Sequence, residues 1–371
     1  ARCGRIGLMQ GQNRRGWIAF YAPMKPPGHP VPSGDREIAR LTIRALEQAG
    51  WEVRTVSELR LLEKTGEPAA QAALVAAAEA EAMRLLRDLA EKPPRLWFTY
   101  HCYYKAPDLL GPAVSRALRI PYVISEPSIA PRRRTGAWAE FAKASEEAIA
   151  AADLLLWTTG RDRPALEDGG HGARMAQLPA FIDVGAAVQH RPANHPARLL
   201  TVAMMRHGDK LESYRRLSAG LRGVAGDWHL DVIGDGPARA EVEAIFTNHT
   251  DRVTFRGAIE DRALLRLQYE SADLFVWPGV GEGVGMVYLE AQAAGLPVVA
   301  EDHPAQRDVV AGRLAVPSDP AALADAVTHA LAAREALGVE ARAHVETRHS
   351  LNAAAQTLRT HLESVLSRET K

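Results

Sequence analysis

Two carboxylates, Glu282 and Glu290, lie with seven residues between them in GEGVGMVYLEAQAAGLPVVAED, which follows the apolar run Leu274-Phe275-Val276-Trp277 and Pro278. An apolar run bounded by proline reads as a buried strand. Gly279, Gly281, Gly283 and Gly285 come next, and glycine lets a backbone approach a ligand where a Cβ would obstruct it. A helix is expected over residues 286–294, with Gly295 and Pro297 as its stop signals. Its free N–H groups and the positive end of its dipole favour a phosphate. Glu290 sits one turn in, and helical side chains lean toward the N-terminus, so both carboxylates converge on the place where a phosphate would lie. Carboxylates repel phosphates, which leaves neutral hydroxyls as their targets. The combination suggests a nucleotide sugar, whose ribose and hexose hydroxyls flank a diphosphate.

A leaving diphosphate needs positive charge, and Arg206 with Lys210 in VAMMRHGDK supplies it directly after a strand; solvated surface cations are the alternative. His101 ends the strand-like LWFTYH, where a neutral imidazole can hydrogen-bond a sugar hydroxyl or simply pack in a loop. Arg132-Arg133-Arg134 invites an anionic acceptor, phosphate-bearing or lipid-linked, against the alternative of a solvated basic run. The 13 histidines are scattered and no Asp-x-Asp pair marks a metal-held diphosphate, so neither metal nor cofactor is expected.

These residues need a scaffold, and the chain's pattern specifies one. Its 371 residues are comfortable for two domains. Forty-five basic residues balance 45 acidic ones, so no global field points to nucleic acid. Cys3 and Cys102 are far apart, which excludes a disulfide framework and fits a reducing cytoplasm. No apolar run approaches the roughly 20 residues that span a bilayer, so membrane contact is at most peripheral. Strands alternate with helices: strands at 17–22, 51–56, 96–100, 122–125, 153–158 and 176–181 in the first half, and at 199–204, 230–233, 253–255, 274–277 and 298–300 in the second. Helices are expected between them, notably at 35–48 and 69–91, and a last helix at 351–366 needs a surface to pack on. The pattern implies an α/β protein with two tandem Rossmann-like domains, each sheet parallel and covered on both faces, and ligands at the carboxyl ends of the strands in an interdomain cleft. A loose extension occupies 1–16, with Met9 an alternative start. The proline-rich stretch 189–196 marks the boundary between a first domain at 17–190 and a second at 191–350, and 351–371 forms a C-terminal helix able to pack back on the first domain.

The second half resembles the nucleotide-binding domain of retaining GT-B-fold glycosyltransferases, glycosyltransferase family 4 or glycosyl transferases group 1. The resemblance rests on VIGDGP at 232–237, FRGAIEDRALLRLQYESADLFVWP at 255–278, EGVGMVYLEAQAAGLPVVAED at 282–302 and GRLAVPSDPAALADAV at 312–327, in that order. It covers roughly 199–327 and is specific as a set. By that resemblance Glu290 holds the ribose hydroxyls and Glu282 contacts the donor sugar, while the backbone of Gly283, Val284 and Gly285 approaches the sugar and diphosphate. Ala258 and Ile259 fall where the family holds the base through main-chain groups. Met204 occupies the place where the family commonly has an arginine, so either Arg206 does that work from a displaced position or the clamp is altered. In the first half, SGDREIARLTIRALEQAGWEV resembles the family's first loop and helix, with Gly34 as the small-residue turn near the donor phosphates. Glu126 in PYVISEPSIAP stands where related enzymes frequently place a histidine beside the reacting sugar, which leaves the stereochemical outcome open.

The implied activity is transfer of a sugar from a nucleotide-diphosphate donor to an unidentified acceptor hydroxyl, on a saccharide, a lipid-linked substrate or a small molecule, with retention of configuration. The catalytic candidates are Glu282, His101 and Glu126. Three other readings share some of these features: a non-catalytic sugar-nucleotide binder, a nucleotide-sugar epimerase, and an NAD-dependent oxidoreductase. The last is suggested by Gly281-x-Gly283 followed about 20 residues on by Glu301-Asp302, but Met286 falls where the fingerprint needs its third glycine.

Overall fold

The structure, a computed structural model, describes residues 16–31, 33–186 and 194–368. Cys3, Met9 and residues 189–193 of the expected linker lie outside the described residues. The chain divides into two units.

The first unit carries β1 (Trp17–Tyr21), α1 (Gly34–Gln48), β2 (Glu52–Thr55), α2 (Pro68–Leu89), β3 (Leu96–Cys102), α3 (Gly111–Leu118), β4 (Tyr122–Pro127), α4 (Ala139–Ala151), β5 (Leu154–Trp157), α5 (Arg163–Asp168) and β6 (Met175–Gln177). Its six strands are parallel in the order β2-β1-β3-β4-β5-β6. All five residues of β1, WIAFY, are buried, as expected of a strand with helices on both faces. Ser33 caps α1, its hydroxyl accepting from Arg36 N at 3.3 Å, and Asp35 and Glu37 in the first turn suit the helix dipole. Asp108, 1% exposed, ties β3, β4 and α3 together: one oxygen accepts from the amides of Leu110 and Gly111 at 2.9 and 2.8 Å, the other from Thr99 and Tyr122 hydroxyls at 2.5 and 2.7 Å. Because β2 lies on one side of β1 and β3 on the other, the chain reverses its winding direction at β1. Loops beyond the carboxyl ends of β1 and β3 therefore flank a crevice where parallel sheets bind ligands.

The second unit carries β7 (Ala197–Val202), α6 (Asp209–Leu221), β8 (Trp228–Ile233), α7 (Arg239–Ile245), β9 (Val253–Gly257), α8 (Arg262–Ser271), β10 (Leu274–Val276), α9 (Met286–Ala293), β11 (Val298–Glu301), α10 (Pro304–Val309), β12 (Arg313–Ala315), α11 (Pro320–Ala332) and α12 (Arg334–Arg348). Its parallel order is β12-β11-β10-β7-β8-β9, so the winding reverses at β7 and the switch point lies between β7 and β10. Leu199, Leu200, Leu230, Val232, Leu274, Phe275, Val298 and Val299 are at most 0% exposed and form the sheet's share of the core.

The last helix, α13 (Leu351–Arg368), belongs with the first unit from Ala354 onward. Arg359 donates to the carbonyls of Ala49 and Gln48 just past α1, both at 3.3 Å. The units part after Leu178, ahead of the boundary at 190 expected from the prolines. The reason is local pairing: Ile182 N–H donates to His349 O at 2.8 Å and Leu351 N–H to Ile182 O at 3.0 Å, so this apolar segment has already joined the second unit. Accordingly, the strand expected at 176–181 ends at Gln177. No described helix is long and apolar enough to cross a membrane.

Candidate functional site

At the switch point of the second unit a cavity of about 300 Å³ opens, within the range typical of small-molecule sites. Its lining comes from four strand ends: Met204 after β7, Asp235 after β8, Ala258 and Ile259 after β9, and Glu282, Gly285, Met286 and Val287 between β10 and the start of α9. Lys210, on the first turn of α6, completes it.

The loop from Gly279 to Gly285 is held by its own protein. Val280 N–H donates to Ser213 Oγ at 2.9 Å, and Gln306 Nε2 donates to Gly279 O at 2.7 Å. Gly279, Gly281 and Gly285 all have φ near +70°, the left-handed region that glycine enters without strain. A Cβ at Gly279 would lie 2.0 Å from Tyr288 Oη, at Gly281 2.1 Å from Asp209 Oδ2, and at Gly285 2.5 Å from Tyr288 Cδ2. Those three glycines therefore serve backbone geometry and internal packing. Of the four, only Gly283 opens onto free space, with nothing within 4 Å of a Cβ built there, while Gly285 lines the cavity.

Lys210 Nζ forms an ion pair with Glu282 Oε1 and lies 5.5 Å from the centre of the Trp277 ring. Trp277 Nε1 donates to the same carboxylate oxygen at 2.9 Å. The indole is fixed in turn: Tyr214 meets it edge-on with ring centres 4.9 Å apart, and Tyr288 Oη donates to Trp277 O at 3.1 Å. Glu282 is thus oriented by two donors while its second oxygen has no hydrogen bond to described residues. Trp277 escaped the sequence reading because a tryptophan ending a buried strand carries no mark of its indole N–H.

Gly285 precedes α9 without a side-chain cap, and the first turn of that helix has no acidic residue. The leading N–H groups of a helix have no internal acceptor, so Met286 and Val287 present free donors where they line the cavity. Glu290 lies one turn along and accepts from Tyr269 Oη at 3.0 Å. Burial, and the neighbouring Glu290 charge, hold the Tyr269 pKa well above its ordinary value, so the phenol remains a donor. Glu290 and Val284 are half-buried and do not line the cavity itself. Tyr269 is a second partner that the sequence reading missed, since it appears there only as one apolar position of α8.

Met204, the residue standing where a cation was expected, is 49% exposed and lines the cavity. Arg206 is exposed and does not. The cause is the pairing of the two loops: Ala203 N–H donates to Ile233 O at 3.0 Å and Met205 N–H to Asp235 O at 2.9 Å, which buries Met205 and alternates its neighbours outward. Gly234 and Gly236 make that approach possible, since a Cβ there would lie 1.9 Å from Ala203 O and 2.3 Å from Met205 O. Lys210 is therefore the cation at the cavity wall.

In the first unit His101 and Glu126 end adjacent strands, flanked by the register pairs Tyr100 with Ser125 and Cys102 with Pro127. Both have positive φ, 62° and 54°, a conformation costing a side-chain-bearing residue roughly 1–3 kcal/mol and concentrated at functional sites. His101 Nδ1 lies 3.6 Å from Asp35 Oδ1 and 3.8 Å from Glu126 Oε2, and it is buried without a hydrogen-bond partner. The buried Tyr100 hydroxyl faces the Glu126 carboxylate, and burial together with that charge holds its pKa well above the ordinary tyrosine value. Burial raises the Glu126 pKa above the ordinary glutamate value, against a smaller lowering by His101. Gly34 is next to Asp35 at the start of α1, and a Cβ there would meet nothing within 4 Å. His101, Glu126 and the Gly34 turn are thus gathered at the first unit's own switch point. Asp35 and Tyr100 join them without a signal in the sequence.

A larger cavity of about 600 Å³ in this unit, along α4 at Lys143, Glu146 and His171, is lined by Arg134 of the basic run but by none of the catalytic or donor-binding candidates. Cys102 is a free, buried thiol, and burial pushes its pKa up to about 12. Among the described residues no group of three or more His, Cys, Asp or Glu could hold a metal ion.

Residues 197–333 match the profile of the family described as Glycosyl transferases group 1. A protein of Mycolicibacterium smegmatis named GDP-mannose-dependent alpha-mannosyltransferase is 35% identical over 147 residues, 38% of this chain and 38% of that protein. The matched segments thus span well under half the length of such curated relatives. Among solved structures, a sucrose-phosphate synthase from Thermosynechococcus elongatus aligns with a TM-score of 0.69 at 21% identity, over 95% of this chain and 100% of the other. HepE of Anabaena, solved in complex with UDP, aligns with a TM-score of 0.67 at 16% identity, over 94% of this chain and 100% of that one. These likenesses establish the fold as GT-B, with two Rossmann-like domains.

Proposed function

We propose that this protein is a glycosyltransferase that moves a sugar from a nucleotide diphosphate to an acceptor hydroxyl, with retention of configuration, because residues 197–333 match the profile of the Glycosyl transferases group 1 family. The observation that carries the reading is the single cavity wall shared by Lys210, Glu282 and the uncapped start of α9. A diphosphate placed there takes charge-assisted hydrogen bonds from Lys210 and from the amides of Met286 and Val287. Gly283, open to solvent, lets the donor approach the backbone. Glu282, aimed by Trp277, binds a hydroxyl of the transferred sugar through its second oxygen. Glu290, steadied by Tyr269, takes the ribose hydroxyls. Ala258 and Ile259 supply main-chain contacts and an apolar surface for the base. Arg206 is exposed and outside the cavity lining, so Lys210 is the principal clamp.

The names of relatives make GDP-mannose the first donor to test, and the UDP complex of HepE makes UDP sugars the second. In the first unit, His101 and Glu126 contact the acceptor. Departure of the diphosphate is eased by Lys210 and the helix end, and this charge neutralisation calls for no metal. Thermal shift with GDP, UDP, their sugar conjugates and NAD tests the reading. Stabilisation by one nucleotide sugar is expected, and preferential stabilisation by NAD would overturn it. Acceptor-dependent nucleotide release then separates a transferase from a binding protein.

A further inference from the structure

Beside the His101 and Glu126 pair, aromatic rings continue in an unbroken series. The ring of His101 lies 4.9 Å from that of Tyr103, Tyr103 lies 5.5 Å from Tyr104, and Tyr104 lies 5.3 Å from Trp138, measured between centres. Tyr103 and Tyr104 are half-buried, so each packs one face and leaves surface open. Two cations cover the far end of the series. Lys105 Nζ sits 5.8 Å from the centre of Tyr104 and 5.4 Å from that of Trp138, while the Arg133 guanidinium sits 5.3 Å from Tyr104. Arg132 is exposed next to them.

Their pairing decides what this end is suited to. Arg134, the third arginine of the run, is engaged by Glu146 at 2.9 Å. Lys105, Arg132 and Arg133 have no carboxylate partner among the described residues. Ring quadrupoles gather two like charges at one tyrosine, but they neutralise neither. An anion arriving there meets preassembled donors and relieves a repulsion already present. At the other end, His101 Nδ1, which has no hydrogen-bond partner, and the neighbouring Glu126 carboxylate offer polar atoms to a neutral hydroxyl. Between the ends lie aromatic faces, which pack well against the C–H face of a sugar or polyol ring.

We propose that this surface is an acceptor site for a ring polyol bearing a phosphate, with the phosphate at Lys105, Arg132 and Arg133 and a free hydroxyl toward His101 and Glu126. The inference rests on the transferase reading for its biological meaning, but its binding chemistry stands on the first unit alone. The phosphate belongs either to a soluble sugar phosphate or to a lipid headgroup, and the two sources are experimentally separable.

The test measures binding of glucose 6-phosphate and of glucose to the full-length protein by calorimetry, and flotation with phosphatidylglycerol and phosphatidylcholine vesicles. Glucose 6-phosphate should bind at least ~10-fold more tightly than glucose if the anion is soluble, and selective flotation with the anionic vesicles identifies a lipid-borne one. The double variant Lys105→Gln, Arg133→Gln should lose that preference, whereas Arg134→Gln, which removes the Glu146-paired arginine, should keep it. Two results overturn the proposal: no preference for either anionic probe, or a preference that survives the double variant. Thermal shift by nucleotides, read on the same samples, checks that the variants fold and tests the donor reading separately. If nucleotides bind and both anionic probes fail, only the acceptor site falls.

Discussion

Replacing Lys210 by methionine keeps the aliphatic stem and removes the charge at the cavity wall. The side chains of Lys210 and Glu282 are 24% and 13% exposed, between a surface pair worth ~0–1 kcal/mol and a fully buried one whose broken form costs ~3–5 kcal/mol. A stability loss of about 1–2 kcal/mol follows, moderated because Trp277 still donates to Glu282. Nucleotide binding responds by a separate route. A charge-assisted hydrogen bond to a phosphate is worth about 1.5–3 kcal/mol, but Lys210 must share itself with Glu282 to make it, so the lower end applies. Affinity for the matching nucleoside diphosphate should drop roughly 10- to 30-fold by calorimetry. Glu282→Gln should act in the opposite direction on the same ligand, because it frees Lys210 and removes a carboxylate from the phosphate's surroundings; a few-fold gain is expected. Unchanged affinity in Lys210→Met would refute the clamp. Equal losses in both variants would refute the idea that the pair competes with the diphosphate.

Glu290→Ala should weaken nucleoside diphosphate binding by about 1–2 kcal/mol while 2′-deoxyribose nucleotides lose less; an equal loss for both sugars argues against the ribose contact. Glu126 has a raised pKa in the folded state, so the native protein holds that proton above the ordinary value of 4.5 and loses stability as pH rises through this range. Glu126→Gln should therefore gain stability over the parent at pH 7 but not at pH 4, and a gain independent of pH contradicts the assignment. Burial lowers the His349 pKa to about 4 while its Nδ1 engages Ala180 O at 2.6 Å. The unfolded chain takes up this proton first, so stability present at neutral pH is lost from the ordinary 6.5 down to about 4, by about 3 kcal/mol at full extent. In His349→Gln the acid limb of a denaturation-against-pH curve should flatten, and an unchanged limb rules this histidine out as its source.

Much of the scaffold is readable from sequence because parallel strands covered on both faces become nearly continuous apolar runs, as in WIAFY and LFVW. β12 has no such signature: three residues running from exposed to buried are too short to show a period. The site divides along a similar line. Glycine spacing and a helix start localise the loop of Glu282, yet three of its four glycines answer to Tyr288, Gln306 and Asp209, contacts invisible without the fold. Arg206 and Lys210 look equivalent in sequence, and only the pairing of the β7 and β8 loops puts one at the cavity and the other outside it. Trp277, Tyr269, Asp35 and Tyr100 act through positions created by tertiary packing. Their residue types are ordinary for a strand end, a helix face or a helix start, so nothing local distinguishes them. The boundary expected at 190 shows the same limit, since prolines mark a loop, whereas the pairing of Ile182 with Ser350 determines which unit a segment joins.

The most direct measurement is nucleotide release from a panel of GDP and UDP sugars, in the presence and absence of candidate acceptors, by the parent protein and by Glu282→Ala. The proposed function predicts turnover of one nucleotide sugar by the parent and a loss of at least ~100-fold in Glu282→Ala, with the variant still folded and still stabilised by the nucleoside diphosphate. Turnover by Glu282→Ala at the parent's rate, or no binding of any nucleotide sugar by the parent, would contradict it.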